Sequence, residues 1–198
     1  VKRKEKAAET EAALKAAAQR LFATRGYLNT KITDITAEAG RAAGSFYNHF
    51  ASKEELLESL LADLEAAGDE TVDHPEHSPD FTDPTAVRFH VAGYWHFYAE
   101  HAATLRALRQ AAQVNEDFAR KLNEFTRVQN EEITDHVDYV TEAGHRLPGS
   151  PLASVTLMTA VVDSFAQLWH DGVTDLTEDE AIEALTRFVY RGISGRDY

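Results

Sequence analysis

A chain of 198 residues that is 43% hydrophobic can bury one good core, or one core with a small satellite domain. It has no Cys, which excludes a disulfide framework and a thiolate zinc site. No apolar run approaches the roughly 18 residues of a membrane span, and the basic start lacks the apolar centre of a signal peptide, so a soluble cytoplasmic protein without a membrane partner is expected. The formal net charge of -13 hides an asymmetry: residues 1–53 hold ten Lys or Arg against five acids, and the remainder ten against 28. A basic quarter on an acidic body suits a protein of which one end meets a polyanion, although basic arms can also serve solubility alone.

Apolar residues recur at spacings of three and four almost throughout, and Pro is scarce, so an all-α chain of about nine helices is predicted. The first helix covers about 10–25, with Leu14, Ala18, Leu21 and Phe22 on one face and Gly26 as its stop. A short second helix spans about 33–39 and ends at Gly40. A third lies in the stretch Gly44-Ser45-Phe46-Tyr47-Asn48-His49-Phe50, and the capping box Ser52-Lys53-Glu54-Glu55 launches a fourth through about 67. Residues 68–82, with two Pro and little apolar material, read as a loop, and Asp83-Pro84 opens the next helix. A further helix follows to about 112, then a long one from Asn115 to about Ala143. Ser150-Pro151 starts another, and the box Thr177-Glu178-Asp179-Glu180 starts the last.

The stretch 44–50 carries the functional argument. On a helix, Phe50 lies about 40° from Phe46, so the two form one apolar stripe that faces a core. Gly44, Asn48 and Ser45 fall on the opposite side, with Tyr47 and His49 flanking them. Small and amide side chains suit an approach to base edges in a major groove, and flanking hydroxyl, imidazole and ammonium groups suit the phosphate walls. A short helix, a tight turn with Gly, and this helix match helix-turn-helix spacing. Lys53, beside the helix N-terminal amides that follow, adds a phosphate contact.

The run Ile32-Thr33-Asp34-Ile35, Ala39-Gly40 and Gly44 through Leu56 resembles the DNA-binding signature of the TetR family of transcriptional regulators, and the helical order is similar over essentially the whole chain. The resemblance implies a recognition helix at 44–50, with Ser45 and Asn48 at base edges and Tyr47, His49 and Lys53 on phosphates. Either Thr30 or Thr33 would cap the second helix and touch a phosphate. Arg41 and Ala42 stand where the family usually has Val and Ser, so a usual cap is missing, while Arg41 is a candidate for a guanine or a phosphate. Lys2, Arg3, Lys4 and Lys6 form either an arm in the minor groove or a disordered start. The division expected is a DNA-binding domain at 1–53 and a ligand-binding and dimerisation domain at 54–198.

One such reader makes few contacts, so a homodimer on a palindromic operator in double-stranded DNA is expected. Residues 152–169 are apolar nearly all round, and pairing with 181–193 of each chain gives a four-helix bundle built on Val155, Met158, Val162, Phe165, Trp169, Leu185, Phe188 and Val189. The resemblance implies a small-molecule effector in the C-terminal part. The sequence offers Trp95 and Tyr98 within the aromatic group 94–98, Phe125, and the polar residues Gln129, Asp163 and Gln167 among apolar neighbours, for a largely apolar ligand with one or two polar handles.

There is no Gly-x-Ser-x-Gly, phosphate loop or His-Glu-x-x-His, so no catalytic residue and no cofactor is expected. Asp73, His74 and His77 bring potential ligands together in a Pro-containing loop, which reads as a solvated loop and no metal site. The alternative reading is a helical small-molecule-binding protein or enzyme whose N-terminal bundle is only structural.

Overall fold

The computed structural model describes the backbone of residues 2–69 and 74–195 and the side chains of 4–67 and 74–195. Nine helices and no strand occur among the described residues: α1 Lys2–Arg25, α2 Ile32–Glu38, α3 Ala43–Phe46, α4 Lys53–Asp69, α5 Pro84–Val114, α6 Glu116–Glu132, α7 Asp135–Glu142, α8 Pro151–His170 and α9 Glu178–Ser194. The expected number is reached by two changes that offset each other. Residues 84–114 form one helix of 31 residues, because no Pro, Gly-ended cap or polar cluster interrupts the helix formers around 101–103. Conversely, the helix expected over 115–143 breaks at Ile133-Thr134. There the Thr134 hydroxyl donates to the Glu131 carbonyl at 2.8 Å, and the backbone tightens to three-residue bonds such as Val137 N–H to Thr134 O at 3.2 Å.

The chain forms two compact units, one of residues up to 67 with 101–122, the other of 68–100 with 123 onward. They are drawn differently from the expected boundary after 53, since α4 and the middle of the chain join the first unit. Its core consists of Leu14, Ala18, Leu21 and Phe22 of α1, Tyr27, Ile35, Phe46, Phe50, Leu56, Leu57 and Leu60 of α4, and Leu108 and Ala111 of α5. Fully burying each Leu or Phe contributes about 1.5–3 kcal/mol. α1 starts at Lys2 instead of Thr10, so the basic start is neither an extended arm nor disordered from residue 2 onward; the side chains of Lys2 and Arg3 lie outside the described residues.

In the second unit, α7 packs on α8 and α9, and α8 on α9. Val155, Met158, Val162 and Ala166 of α8 and Ile182, Leu185 and Val189 of α9 are buried. By length and composition α8 is apolar enough to cross a bilayer, contrary to the expectation from the sequence, but it carries Asp163 and Gln167 and turns one apolar face into this core. The caps predicted for α8 and α9 form: Ser150 Oγ accepts from Ala153 N–H at 3.3 Å, and Glu180 accepts from Thr177 N–H at 2.9 Å. Within the expected loop, 74–82 is tied down by the fully buried Phe81 and by Tyr190, whose hydroxyl donates to Thr82 O at 3.1 Å.

Candidate nucleic-acid interface

Two turns set the interface. α2 ends in a Schellman motif: Arg41 N–H donates to Thr36 O at 2.8 Å and Gly40 N–H to Ala37 O at 3.0 Å, with Gly40 at φ 64, a left-handed conformation that a side chain disfavours. Ala42 then enters α3 extended at ψ 146 with no side-chain cap. α3 is a single α-turn prolonged by turn residues, in which His49 and Phe50 N–H both bond Phe46 O at 2.9 Å. Phe46 and Phe50, 0% and 4% exposed, anchor it with ring centroids 5.6 Å apart.

The face left to solvent comprises Ala42, Ala43, Gly44, Tyr47 and Asn48, with Tyr47 62% exposed. It is skewed from the expected face. Ser45 is half-buried, and its Oγ is sealed from solvent with no hydrogen-bond partner among the described residues. His49 is drawn against α1, its Nδ1 3.8 Å from Glu11. The small side chains Ala43 and Gly44 cannot seat that side of the turn, so burial shifts toward Ser45 and His49. Tyr47 consequently stands beside Asn48 in the open, while Ser45 and His49 do not.

Three other expected contacts are placed differently. Thr30 is 1% exposed and its hydroxyl donates to Gly26 O at 2.8 Å, so it neither caps α2 nor reaches a phosphate. Lys31 holds the cap position instead, its N–H donating to Asp34 at 3.0 Å; Thr33, in the first turn, is exposed. Lys53 donates to Tyr27 O at 2.8 Å and to Thr30 O at 2.9 Å, with its ammonium 3.9 Å from the centroid of the Tyr27 ring. Two of its three donors are therefore engaged, and it clamps the 27–30 turn. Burial pushes its pKa below the ordinary lysine value, with Glu54 opposing the shift. The Tyr27 phenol donates to Glu54 at 2.7 Å; burial first, and then that hydrogen bond, push its pKa well up.

Arg41 is half-buried and 3.8 Å from Glu9, and its Nε is sealed with no hydrogen-bond partner among the described residues. Several cations of the basic quarter are paired at home: Lys15 with Asp63 at 2.9 Å and Arg20 with Glu38 at 2.8 Å. Lys31, which sequence reasoning passed over, is exposed at the start of α2 beside Thr33. Its position as the residue before a helix start was the available signal.

The expected ligand residues lie in the second unit. Trp95 and Tyr98 are buried, and the Trp95 ring packs 5.1 Å from Trp169 and 6.2 Å from Phe165. The Trp95 Nε1 donor has no acceptor among the described residues. Asp163 accepts from the Tyr94 hydroxyl at 2.5 Å, Gln129 bonds Glu132 on its own helix at 3.3 Å, and Phe125 and Gln167 are half-buried. A cleft of about 280 Å³ is lined instead by Glu76, Ser78, Thr85, Ala86 and Phe89.

Of the expected dimer residues, Val155, Met158, Val162, Leu185 and Val189 are at most 9% exposed. They belong to the protomer's own core. Phe165 and Trp169 are half-buried. Phe188 alone of the set is open, at 64%, with Leu157 and Leu168 of α8 also exposed.

Residues 14–60 match the N-terminal domain model described as bacterial regulatory proteins, tetR family. The chain is 31% identical over 110 residues to the transcriptional regulator EthR of Mycolicibacterium smegmatis, covering 56% of this chain and 51% of that one. It is 42% identical over 84 residues to the regulator TtgR of Pseudomonas putida, covering 41% and 38%, and 51% identical over 41 residues to the repressor KstR2 of Mycobacterium tuberculosis, covering 21% and 20%. The matches thus span about half or less of these relatives. In fold, the chain resembles a tetR-family regulatory protein from Rhodococcus RHA1, with a TM-score of 0.73 at 19% identity over 93% of this chain and 96% of that one. A regulator from Saccharomonospora viridis, solved in complex with choline, gives 0.73 at 20% identity over 94% and 98%.

Proposed function

By its helix-turn-helix the chain belongs to the TetR family of bacterial regulatory proteins, and on that premise we propose that it is a DNA-binding transcriptional repressor, acting in the cytoplasm as a homodimer on a palindromic operator. The observation that carries the reading is the open face of Gly44, Tyr47 and Asn48 over the buried pair Phe46 and Phe50. Asn48 is the base-edge reader, an amide that can pair bidentately with adenine. Tyr47, Thr33 and Lys31 meet phosphates, and Arg41 reaches a phosphate or a guanine once released from Glu9. The repressor sense is supported by the KstR2 relative.

The two-fold contact uses Leu157, Leu168 and Phe188, because an exposed group of large apolar side chains is what a partner would cover. The effector binds in the second unit beside Trp95, whose buried indole N–H lacks an acceptor among the described residues and offers a polar handle within an apolar surround. Tyr98, Phe125, Gln129, Asp163 and Gln167 are the further residues proposed for the effector. The effector acts by shifting a population, limited by its differential affinity for the DNA-bound and released forms.

Gel retardation tests the reading. Affinity for a fragment from the chain's own genomic neighbourhood should fall linearly with the logarithm of salt concentration, as counterion release requires. Binding to no such fragment, or binding indifferent to salt, would favour a helical binding protein or enzyme with a merely structural N-terminal bundle.

A further inference from the structure

Away from the DNA-binding face, three histidines from three separated segments of the second unit converge. His77 belongs to the segment that reads from sequence as a solvated loop, His90 to α5 and His136 to the first turn of α7. One ligand nitrogen from each lies within 4.8 Å of the other two. The rings are grouped as tightly, with centroids 5.0 Å apart for His77 and His90, 4.9 Å for His90 and His136 and 5.4 Å for His77 and His136. His136 is buried and the other two half-buried. Of the neighbours expected to share the loop, Asp73 lies outside the described residues, and His74 turns to the Phe89 ring at 5.3 Å.

The hydrogen bonds fix where the lone pairs are. His90 Nδ1 is 2.9 Å from Ala86 O. A carbonyl only accepts, so Nδ1 carries the proton and Nε2 the lone pair. His136 Nδ1 is 2.6 Å from the Asp135 carboxylate, which by the same reasoning leaves its Nε2 as a lone pair. That atom faces His77 Nε2 at 3.3 Å. A carboxylate behind one imidazole and a backbone carbonyl behind another are the outer partners that orient metal-ligating histidines and raise their basicity.

The scaffold holds this arrangement for identifiable reasons. The break at Ile133-Thr134 starts α7 where His136 turns inward. Phe81, fully buried, lies 4.9 Å from the His90 ring and 5.1 Å from the His136 ring, and it anchors the segment that brings His77. In a tetrahedral site with metal–nitrogen bonds of about 2.0–2.1 Å, ligand nitrogens stand about 3.4 Å apart. The His77–His136 edge already has that length, and the other two are no longer than 4.8 Å.

We propose that His77, His90 and His136 form a binding site for one borderline divalent transition-metal ion of the zinc class, with the fourth position open to water or a small donor ligand. Three imidazoles without thiolate favour zinc, cobalt, nickel or copper over calcium or magnesium. Three protein ligands rather than four leave the coordination incomplete, as in sites that exchange a ligand. The cleft lined by Glu76, Ser78, Thr85, Ala86 and Phe89 involves sequence neighbours of two of the ligands, His77 and His90.

The test uses the full chain without an affinity tag, stripped with a chelator and titrated with Zn²⁺ in competition with a chromophoric chelator, and with Co²⁺ for its ligand-field spectrum. One equivalent should bind, with tetrahedral or five-coordinate Co²⁺ bands and a raised unfolding temperature. His77→Gln and His90→Gln should each weaken Zn²⁺ binding at least about a hundredfold, and Asp135→Asn about ten- to a hundredfold through the ligand behind it. His145→Gln, outside the cluster, should leave it unchanged. His136 is buried, so its replacement endangers the fold; Asp135→Asn and His77→Gln, checked by circular dichroism, carry the test without it. Absence of stoichiometric binding to the folded wild-type chain overturns the proposal. So does Zn²⁺ affinity indifferent to both His77→Gln and His90→Gln, in which case the 3.3 Å contact is an ordinary imidazole–imidazole hydrogen bond.

Discussion

The two units each leave one helix face uncovered, and the two faces differ in kind. On α3 the open residues are small or polar, namely Ala43, Gly44, Tyr47 and Asn48. On α8 and α9 they are Leu157, Leu168 and Phe188, the last 64% exposed. Apart from the Tyr47 ring, the first face exposes little apolar area, whereas the second leaves large apolar area wet that a partner surface would remove. A narrow polar ridge suits a groove lined by phosphates and base edges; an apolar face suits a second copy of the chain. The face on α3 also depends on very little structure, one helical turn held by two Phe side chains.

That dependence gives the largest expected effect. Phe46→Ala removes a side chain that is 0% exposed, and should cost about 3–5 kcal/mol of stability, read as a lowered urea midpoint, with DNA binding lost alongside. If Phe46→Ala unfolds at the wild-type midpoint, the anchor is not what orients the ridge. On the other face, Phe188→Glu combined with Leu157→Glu should leave protomer stability within about 0.5–1 kcal/mol, because both positions are exposed. The variant should nevertheless sediment as a monomer. A dimer that survives both changes places the two-fold contact elsewhere.

Lys53 sharpens the comparison further, because it separates an internal role from an outward one. As a clamp on Tyr27 O and Thr30 O, its loss in Lys53→Met leaves two carbonyls short of a donor and should cost about 1–3 kcal/mol. The slope of log affinity against log salt should change by less than the roughly one unit that a lost phosphate contact gives. A full unit of slope lost without destabilisation would restore Lys53 to the phosphate wall.

Much of the architecture was legible in periodicity and punctuation: Gly26 and Gly40 as helix stops, Ser150 and Thr177 as caps, Phe46 and Phe50 as one buried stripe. Two kinds of feature were not. Helix continuity is one: the break at Thr134 turns on a hydroxyl that bonds its own helix, and the unbroken α5 is marked only by the lack of any Pro, Gly-ended cap or polar cluster around 101–103. Convergence of distant residues is set by tertiary placement, which is why His77, His90 and His136 were not assembled from sequence, and why the inner face of α8, apolar all round, was expected to serve a partner. The rotation of α3 toward Ser45 and His49 was hidden likewise, because a helical wheel fixes relative angles but not which sector meets α1.

The smallest effect concerns acid. Burial alone would raise the Glu54 carboxyl, but the hydrogen bond from the Tyr27 phenol, joined by those from its own backbone and Ser52 and by the charge of Lys53, holds its pKa below the ordinary value of 4.5. A depressed carboxylate means that the unfolded chain binds its proton first, so stability rises with pH across this titration. The contribution is complete above about 4.5, and disappears as pH falls through the lower, folded-state value. Glu54 keeps substantial contact with solvent, which screens the interaction to less than about 1 kcal/mol. Tyr27→Phe removes the largest of the lowering interactions while keeping the ring under Lys53. Urea midpoints measured from pH 6 to pH 3 should therefore converge for wild type and Tyr27→Phe at the acid end and separate at the neutral end. A gap that widens toward acid would mean that the phenol stabilises the fold by a route other than the Glu54 carboxylate.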